Sequence, residues 1–327
     1  MDFINKFSVF KNTKGKKRYH FSIFLFGFAS VIIRAIDMPA ANIVAIRFLI
    51  SAIFLIFVFA FMKKLQKVYA MGKRHFGVLL FGAAWLAVHG WAFATSIQLA
   101  SVAIGTITFA CFPVFSLILE KVIYRKSSEI RWFMLVSVFM TILGVFVLVP
   151  EFSIQNIDVR GILIGLLSAF AFAAHLVVND RMRMRVEEIG NEEDVNDAGI
   201  VTTFYNHLYA AVILVPIAAR SFTIDLQMRD IILLAVLGII ITAVGFTIYY
   251  SSLKFYNPTT LGIASSLEAV YGIVFAFVLL QAVPTAREMI GGFVIILGVL
   301  FNELMKKRSE KQENVIVKNS VAAKTAV

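Results

Sequence analysis

A glutamate, an arginine and three histidines stand inside long apolar stretches of this 327-residue chain, where unpaired charge and polarity are costly. Glu268 is the sharpest of them. It lies near the middle of the apolar run 259–281, with Ser265 at i−3 and Gly272 at i+4 on the same helical face. A carboxyl at such depth faces either a cavity or a partner, which makes it a candidate for holding a proton or a substrate amine. The plainer alternative is a structural carboxylate hydrogen-bonded to another helix. Arg47, in the first half of the run 40–62, keeps its charge in any environment. Its open roles are binding a substrate carboxylate, tying helices through backbone carbonyls, and pairing with Glu268. The structural tie is favoured, because Arg47 is only a turn or two from the outer surface.

His89 follows Trp85 and precedes Phe93, each by four residues. His175 shares a helical face with Ser168, Phe172 and Asn179, and His207 follows Thr203 and adjoins Asn206. A lone membrane histidine is usually a packing residue, but three on neighbouring helices point to a shared cavity. No two share a helix at ligand spacing, so no metal and no cofactor are expected. Thr242, Gly245, Tyr249 and Ser252 line one face of a further run. The expected cavity set is Glu268, His89, Trp85, His175, Phe172, Asn179, Ser30, Tyr249, Ser265 and Tyr271. Pro113 frees a backbone carbonyl in the run 102–123 and is expected to kink it. Glu120, on the same face near the end of that run, reads as a gate or a helix-end charge.

These residues need elements that cross a bilayer. Hydrophobic residues make up 60% of the chain and charged ones 16%, against about 25% in soluble proteins, so lipid must cover the surface. A disordered chain is excluded, and a soluble enzyme is not expected. Ten runs are long enough to span, at roughly 20–36, 40–62, 76–97, 102–123, 131–150, 160–180, 199–219, 230–253, 259–281 and 287–305. They are too long and too weakly alternating for barrel strands. With ten alternating helices, 25 of the 31 Lys and Arg residues fall on one side, which makes that side and both termini cytoplasmic. The net charge of +11 is then an orientation signal and a contact for anionic lipid headgroups, not a nucleic-acid footprint. A basic arm (1–19), two halves (20–150 and 151–305, the second with a charged loop at 181–198) and a polar tail (306–327) complete the layout. The single cysteine, Cys111, excludes an intrachain disulfide.

The halves echo one another. Phe26-Gly27-Phe28-Ala29-Ser30 reads like Phe170-Ala171-Phe172-Ala173-Ala174, and Ser96-Ile97-Gln98-Leu99 reads like Ser252-Leu253-Lys254-Phe255. A repeat of five helices is odd, so the second copy inserts upside down. The expected fold class is thus all-α integral membrane, ten helices as two inverted five-helix repeats. The chain resembles the EamA-like group of the drug/metabolite transporter superfamily. The resemblance rests on Gly27-Phe28-Ala29-Ser30, Arg47-Phe48, Phe112-Pro113-Val114-Phe115, Ser266-Leu267-Glu268-Ala269-Val270 and Ile290-Gly291-Gly292 followed by Gly298. The family's Gly-Glu pairs ending helices four and nine are replaced here by Arg125-Lys126 and Gln281-Ala282, and its Glu-Pro by Glu268-Ala269. That departure argues against ion coupling at those helix ends. The resemblance implies a secondary transporter in the cell membrane that carries a small organic solute, often outward and without ATP, with protons as a possible coupling partner. No Gly-x-x-x-x-Gly-Lys-Ser/Thr loop occurs, and no obligate protein partner is evident. The competing class is an integral-membrane enzyme acting on a lipid or isoprenoid. It would need clustered carboxylates, histidines or a nucleophile near one interface, and no such motif occurs.

Overall fold

The computed structural model describes residues 13–124, 131–148, 157–221, 227–256 and 258–325. Every regular element among them is helical. We number the helices α1 (Thr13–Ala35), α2 (Ala40–Phe61), α3 (Leu65–Arg74), α4 (Phe76–Leu99), α5 (Val102–Phe109), α6 (Phe112–Tyr124) and α7 (Trp132–Leu148). They continue as α8 (Ile157–Ile189), α9 (Glu192–Ala218), α10 (Met228–Val236), α11 (Phe246–Ser251), α12 (Pro258–Ser265), α13 (Leu267–Leu280) and α14 (Ala286–Thr325). A π-helical segment, Leu237–Gly245, joins α10 to α11.

Local signals set the ends. The Ser101 hydroxyl accepts from the Ile104 amide at 3.0 Å and starts α5. The Asn191 side chain accepts from the Asp194 amide at 2.8 Å, and Glu192, Glu193 and Asp194 then lie in the positive first turn of α9. At α14 the Glu288 carboxylate accepts from the Thr285 amide at 2.7 Å while the Glu288 amide donates to the Thr285 hydroxyl, which is a capping box. The left-handed residues Lys63 and Gln281 close α2 and α13.

Seven helices, counted through their short breaks, are long and apolar enough to cross a membrane among the described residues. The first, fifth and tenth expected runs are not among them. The first helix begins at Thr13, so its leading turns take up Lys14 to Arg18 from the stretch read as a basic arm. The described part of the fifth is only 17 residues long. The tenth continues as helix to Thr325, through most of the expected polar tail. The half boundary at 150/151 and the pair Arg125-Lys126 lie outside the described residues.

Two spans are broken. In the fourth run the break falls at Ala110 and Cys111, just before the expected kink residue, because Pro113 has no amide to donate to the Phe109 carbonyl. In the ninth run it falls at Ser266, where the bonds tighten: the Ser266 amide reaches Ile263 at 3.3 Å and the Ala269 amide reaches Ser266 at 3.2 Å. The two breaks touch, since the Ser266 hydroxyl donates to the Ala110 carbonyl at 3.2 Å.

The halves interleave rather than sit side by side. α4 packs on α8, α7 on α14, α2 on α9, α1 on α13 and on the π segment, and α6 on α8 and α12. Small residues permit these approaches. A Cβ on Gly165 would stand 2.0 Å from the Thr108 hydroxyl, and one on Gly262 would stand 2.8 Å from the Phe112 ring.

Candidate functional site

Where α2, α4, α8, α9, α11 and α13 meet, the core is polar. Ser51 lies one helical turn after Arg47 on α2, and its hydroxyl is hydrogen-bonded to His207 Nδ1 of α9 at 2.7 Å. The His207 ring stacks on Phe48 with centroids 5.0 Å apart, and the Arg47 guanidinium sits over the same Phe48 at 4.8 Å. Asn206, the neighbour of His207, donates to the Asn179 side-chain oxygen of α8 at 2.9 Å.

His175 completes this network, and its bonds define its proton. Nδ1 lies 2.8 Å from the Gly82 carbonyl, which can only accept, so Nδ1 carries the hydrogen. Nε2 then accepts from the Asn179 amide at 2.9 Å and from the Tyr250 hydroxyl at 2.5 Å. His175 is held as the neutral Nδ1–H tautomer by three helices.

His89 is held differently. Its Nδ1 lies 2.9 Å from the Ser168 hydroxyl, and its ring packs against Phe93, Phe109 and Phe172. Phe172 is the hub of this aromatic layer, since it also meets Phe112, His175 and Tyr249. Through Phe172 the environments of His89 and His175 are continuous.

Glu268 and Arg47 are both buried, at 5% and 3% exposure. They act on each other electrostatically, and Arg47 also acts on His89, His207 and Tyr250. Neither makes a hydrogen bond or an ion pair to any described residue, and the Arg47 Nε is buried with no partner. Among the described residues, neither the backbone-carbonyl tie favoured for Arg47 nor a hydrogen bond between Glu268 and another helix is formed. Near Glu268, the Tyr249 hydroxyl bonds the Ser265 hydroxyl at 3.0 Å, and the Ser30 hydroxyl would meet a Cβ on Gly272 at 2.9 Å.

Two residues of the expected cavity set sit elsewhere. Trp85 packs edge-on against Phe81 and Phe170, and Phe81 is on the exposed surface. Tyr271 meets Phe24 and Phe275 along the α1 contact. Glu120 is a helix-end charge: its carboxylate accepts from the Thr259 amide at 2.6 Å and the Thr259 hydroxyl at 2.7 Å, at the start of α12. Pro113 lies at the break in the fourth span, where Gly262 of α12 packs against it.

Sequence reasoning missed Ser51 and Tyr250. Ser51 shares a face with Arg47 at i+4, a signal that was present. Tyr250 carried none, because it adjoins Tyr249 and a regular helix points neighbours about 100° apart.

Membrane-length helices closed around a buried polar core define a multi-pass membrane protein. The chain belongs to the EamA-like transporter family, whose model matches residues 21–149 and again 159–304. It is similar to an uncharacterized transporter of Clostridium kluyveri, 24% identical over 58% of this chain and 60% of that one. A second uncharacterized transporter, from Synechocystis sp., is 24% identical over 66% of this chain and 62% of that one. The chain thus spans about three fifths of the length of these curated relatives. A solved crystal structure superposes with a TM-score of 0.66 at 17% identity, over 92% of this chain and 100% of that one, which shows the fold alone.

Proposed function

We propose that this chain is a secondary transporter that exports a small organic solute across the cell membrane, by alternating access around the Arg47–Glu268 centre. The observation that carries this reading is the state of those two side chains. Both are buried, each feels the other, neither is hydrogen-bonded to any described residue, and the Arg47 Nε has no partner among them. A structural ion pair would be in contact, because burying charge without a partner is strongly unfavourable.

The architecture we infer is ten membrane helices in two inverted five-helix repeats, with both ends cytoplasmic. The packing supports it. Exchanging helix n with helix n+5 maps the α4–α8 contact onto that of the π segment with α1, and α9–α4 onto α2 with the π segment. The same exchange maps α1–α13 onto α8–α6, and it leaves α7–α14, α2–α9 and α6–α12 in place. The twofold match of the family model agrees with this. The two broken spans also occupy equivalent places in the halves, which is where transporters of this build place their sites.

Glu268 is the candidate coupling group, since a carboxyl can take and release a proton as the site changes sides. The test is pH-gradient-driven flux of a cell metabolite extract in proteoliposomes, for the native chain and for Glu268→Gln. Loss of gradient dependence with flux retained is expected. A variant whose flux still follows the gradient removes Glu268 from coupling.

A further inference from the structure

The lysine-rich side carries two kinds of basic residue. One kind is already paired: Lys64 and Lys67 meet Glu193, Asp194 and Asp197, and Arg183 meets Asp180 and Glu187. The other kind gathers where α3 gives way to α4. Lys73 and Arg74 end α3. Arg185 of α8 reaches the same corner, because Arg74 and Arg185 both act electrostatically on His75, between α3 and α4. Lys73, Arg74 and Arg185 are exposed, and none makes a hydrogen bond or ion pair to any described residue. Asp194 also acts on His75, but it is held by Lys67 at 3.2 Å. Lys73 and Arg74 suit the negative end of α3, whereas Arg185 comes from another helix and has no such reason to be there.

The start of α4 lies at this corner without a cap. His75 precedes it and bonds none of its first amides, and no acidic residue stands in its first turn. A 24-residue helix presents partial positive charge at such an end. Gly77 leaves the approach open, since a Cβ there would meet nothing within 4 Å. His75 is 6% exposed, and its ring is not hydrogen-bonded to any described residue. Three uncommitted cations, an uncapped helix start and an unpartnered imidazole all favour the same ligand, an anion.

The outer face of α3 says where that anion comes from. Leu65, Tyr69 and Lys73 follow one another at i, i+4 and i+8, and Leu65 and Tyr69 are 47% and 69% exposed. Phe61 at the end of α2 and Phe76 at the start of α4 are exposed as well. The opposite face of α3 is buried, with Gly72 against the Tyr205 ring. A short helix between two spans, apolar outside and basic at its end, lies in the plane of a bilayer surface with its aromatic ring at headgroup level.

We propose that the corner of α3, α4 and α8 binds an anionic phospholipid of the leaflet on the lysine-rich side. Lys73, Arg74, Arg185 and the first amides of α4 hold its phosphate, while Leu65 and Tyr69 lie along its chains. Three uncommitted cations select a headgroup of net negative charge over a zwitterionic one. The proposal goes beyond the transport reading, since this lipid is a resident ligand and not the solute. It also gives α3 a second role. Lys64 and Lys67 tie α3 to the acidic start of α9, so a lipid that holds α3 on the bilayer steadies that contact between the halves.

The experiment titrates the purified full chain in detergent with phosphatidylglycerol and, separately, with phosphatidylcholine of the same acyl chains. Native mass spectrometry counts the first lipid bound. Each basic group near an anionic headgroup shifts binding roughly fivefold, so phosphatidylglycerol is expected to bind about tenfold or more tightly. The combined variant Lys73→Gln, Arg74→Gln and Arg185→Gln should lose most of that preference. Arg220→Gln, exposed beyond the other end of α9, should keep it. A second measurement needs only the native chain. In phosphatidylcholine vesicles, photoreactive phosphatidylglycerol should label residues 61–77, and its phosphatidylcholine counterpart should label them several-fold less. Equal labelling by both lipids, labelling confined to other segments, or an unchanged preference in the combined variant overturns the proposal. Displacement of the label by glycerol phosphate as readily as by unlabelled phosphatidylglycerol would show a site for soluble phosphate. Displacement by a polyglutamate peptide where unlabelled lipid fails would show a site for an acidic protein. Either result overturns the lipid assignment.

Discussion

His175 and His207 lie in the same core but are held in opposite ways, and their replacement should differ accordingly. His175 joins the Gly82 carbonyl, the Asn179 amide and the Tyr250 hydroxyl. A phenylalanine there fills similar space and leaves the buried Asn179 amide and Tyr250 hydroxyl without their partner, while the Gly82 carbonyl keeps its helix bond. At roughly 1–3 kcal/mol for each orphaned group, His175→Phe should lose about 3 kcal/mol or more. Among the described residues His207 has one hydrogen bond, to Ser51, and its other nitrogen has no partner. The ring of His207→Phe can keep the stack on Phe48, so the loss should be nearer 1 kcal/mol. Thermal unfolding of the detergent-purified variants makes the comparison, and equal losses would contradict the roles assigned here. The contrast suits the proposed site: His175 is scaffold, whereas His207 retains a free nitrogen for a ligand.

At the scale of elements, the spans could be read because long apolar runs have few alternatives in lipid, and the buried charges could be read because hydrocarbon leaves them no other place. What the helical period could not show lies at the irregular turns. The π segment Leu237–Gly245 takes more residues per turn than an α-helix. Beyond it the face drawn from Thr242 through Tyr249 is rotated, and both Tyr249 and Tyr250 are buried. The break at Ser266 has no proline to announce it. Trp85 and Tyr271 were placed by residue type, and a one-dimensional pattern cannot tell a ring facing the core from one facing a neighbouring helix. Close helix approach yields a prediction with its own control. A Cβ on Gly165 would stand 2.0 Å from the Thr108 hydroxyl, which is itself held by its 2.7 Å bond to the Ile104 carbonyl. Gly165→Ala should therefore force α8 from α5 and cost about 1–3 kcal/mol. Gly77 has open space where its Cβ would go, and Gly77→Ala should stay within about 0.5 kcal/mol of the native chain. Thermal unfolding of the two variants reads the difference, and a neutral Gly165→Ala would refute the packing argument.

For the molecule as a whole, the charged loops do more than set orientation. Lys64, after α2, meets Glu193 at 3.1 Å and Asp197 at 2.8 Å, and Lys67 of α3 meets Asp194 at 3.2 Å and Asp197 at 3.0 Å. The Tyr205 hydroxyl of α9 donates to the Val68 carbonyl of α3 at 3.1 Å, so this cluster ties the first half to the second on the lysine-rich side. In an alternating-access cycle such a clasp holds one side shut and must release for that side to open. Burial disfavours the charge on Lys64 and Lys67, but the hydrogen bonds they donate to Asp197 and its neighbours outweigh it, and both lysines sit above the ordinary lysine value. A raised lysine contributes stability that is complete below about pH 10 and is lost only as pH climbs through the folded-state value. The lysine side of the clasp is therefore constant from neutral pH to about pH 9, while salt, which screens partly exposed pairs, loosens it. A double-mutant cycle with Lys64→Met and Asp197→Asn should give a coupling of about 1 kcal/mol in low salt, shrinking at about 1 M salt. In vesicles the same variants should open the lysine-rich side more often, read as faster maleimide labelling of a cysteine placed beneath the clasp. A coupling of zero, or labelling that does not change in either variant, would show that the cluster is solvated surface charge and not a latch between the halves.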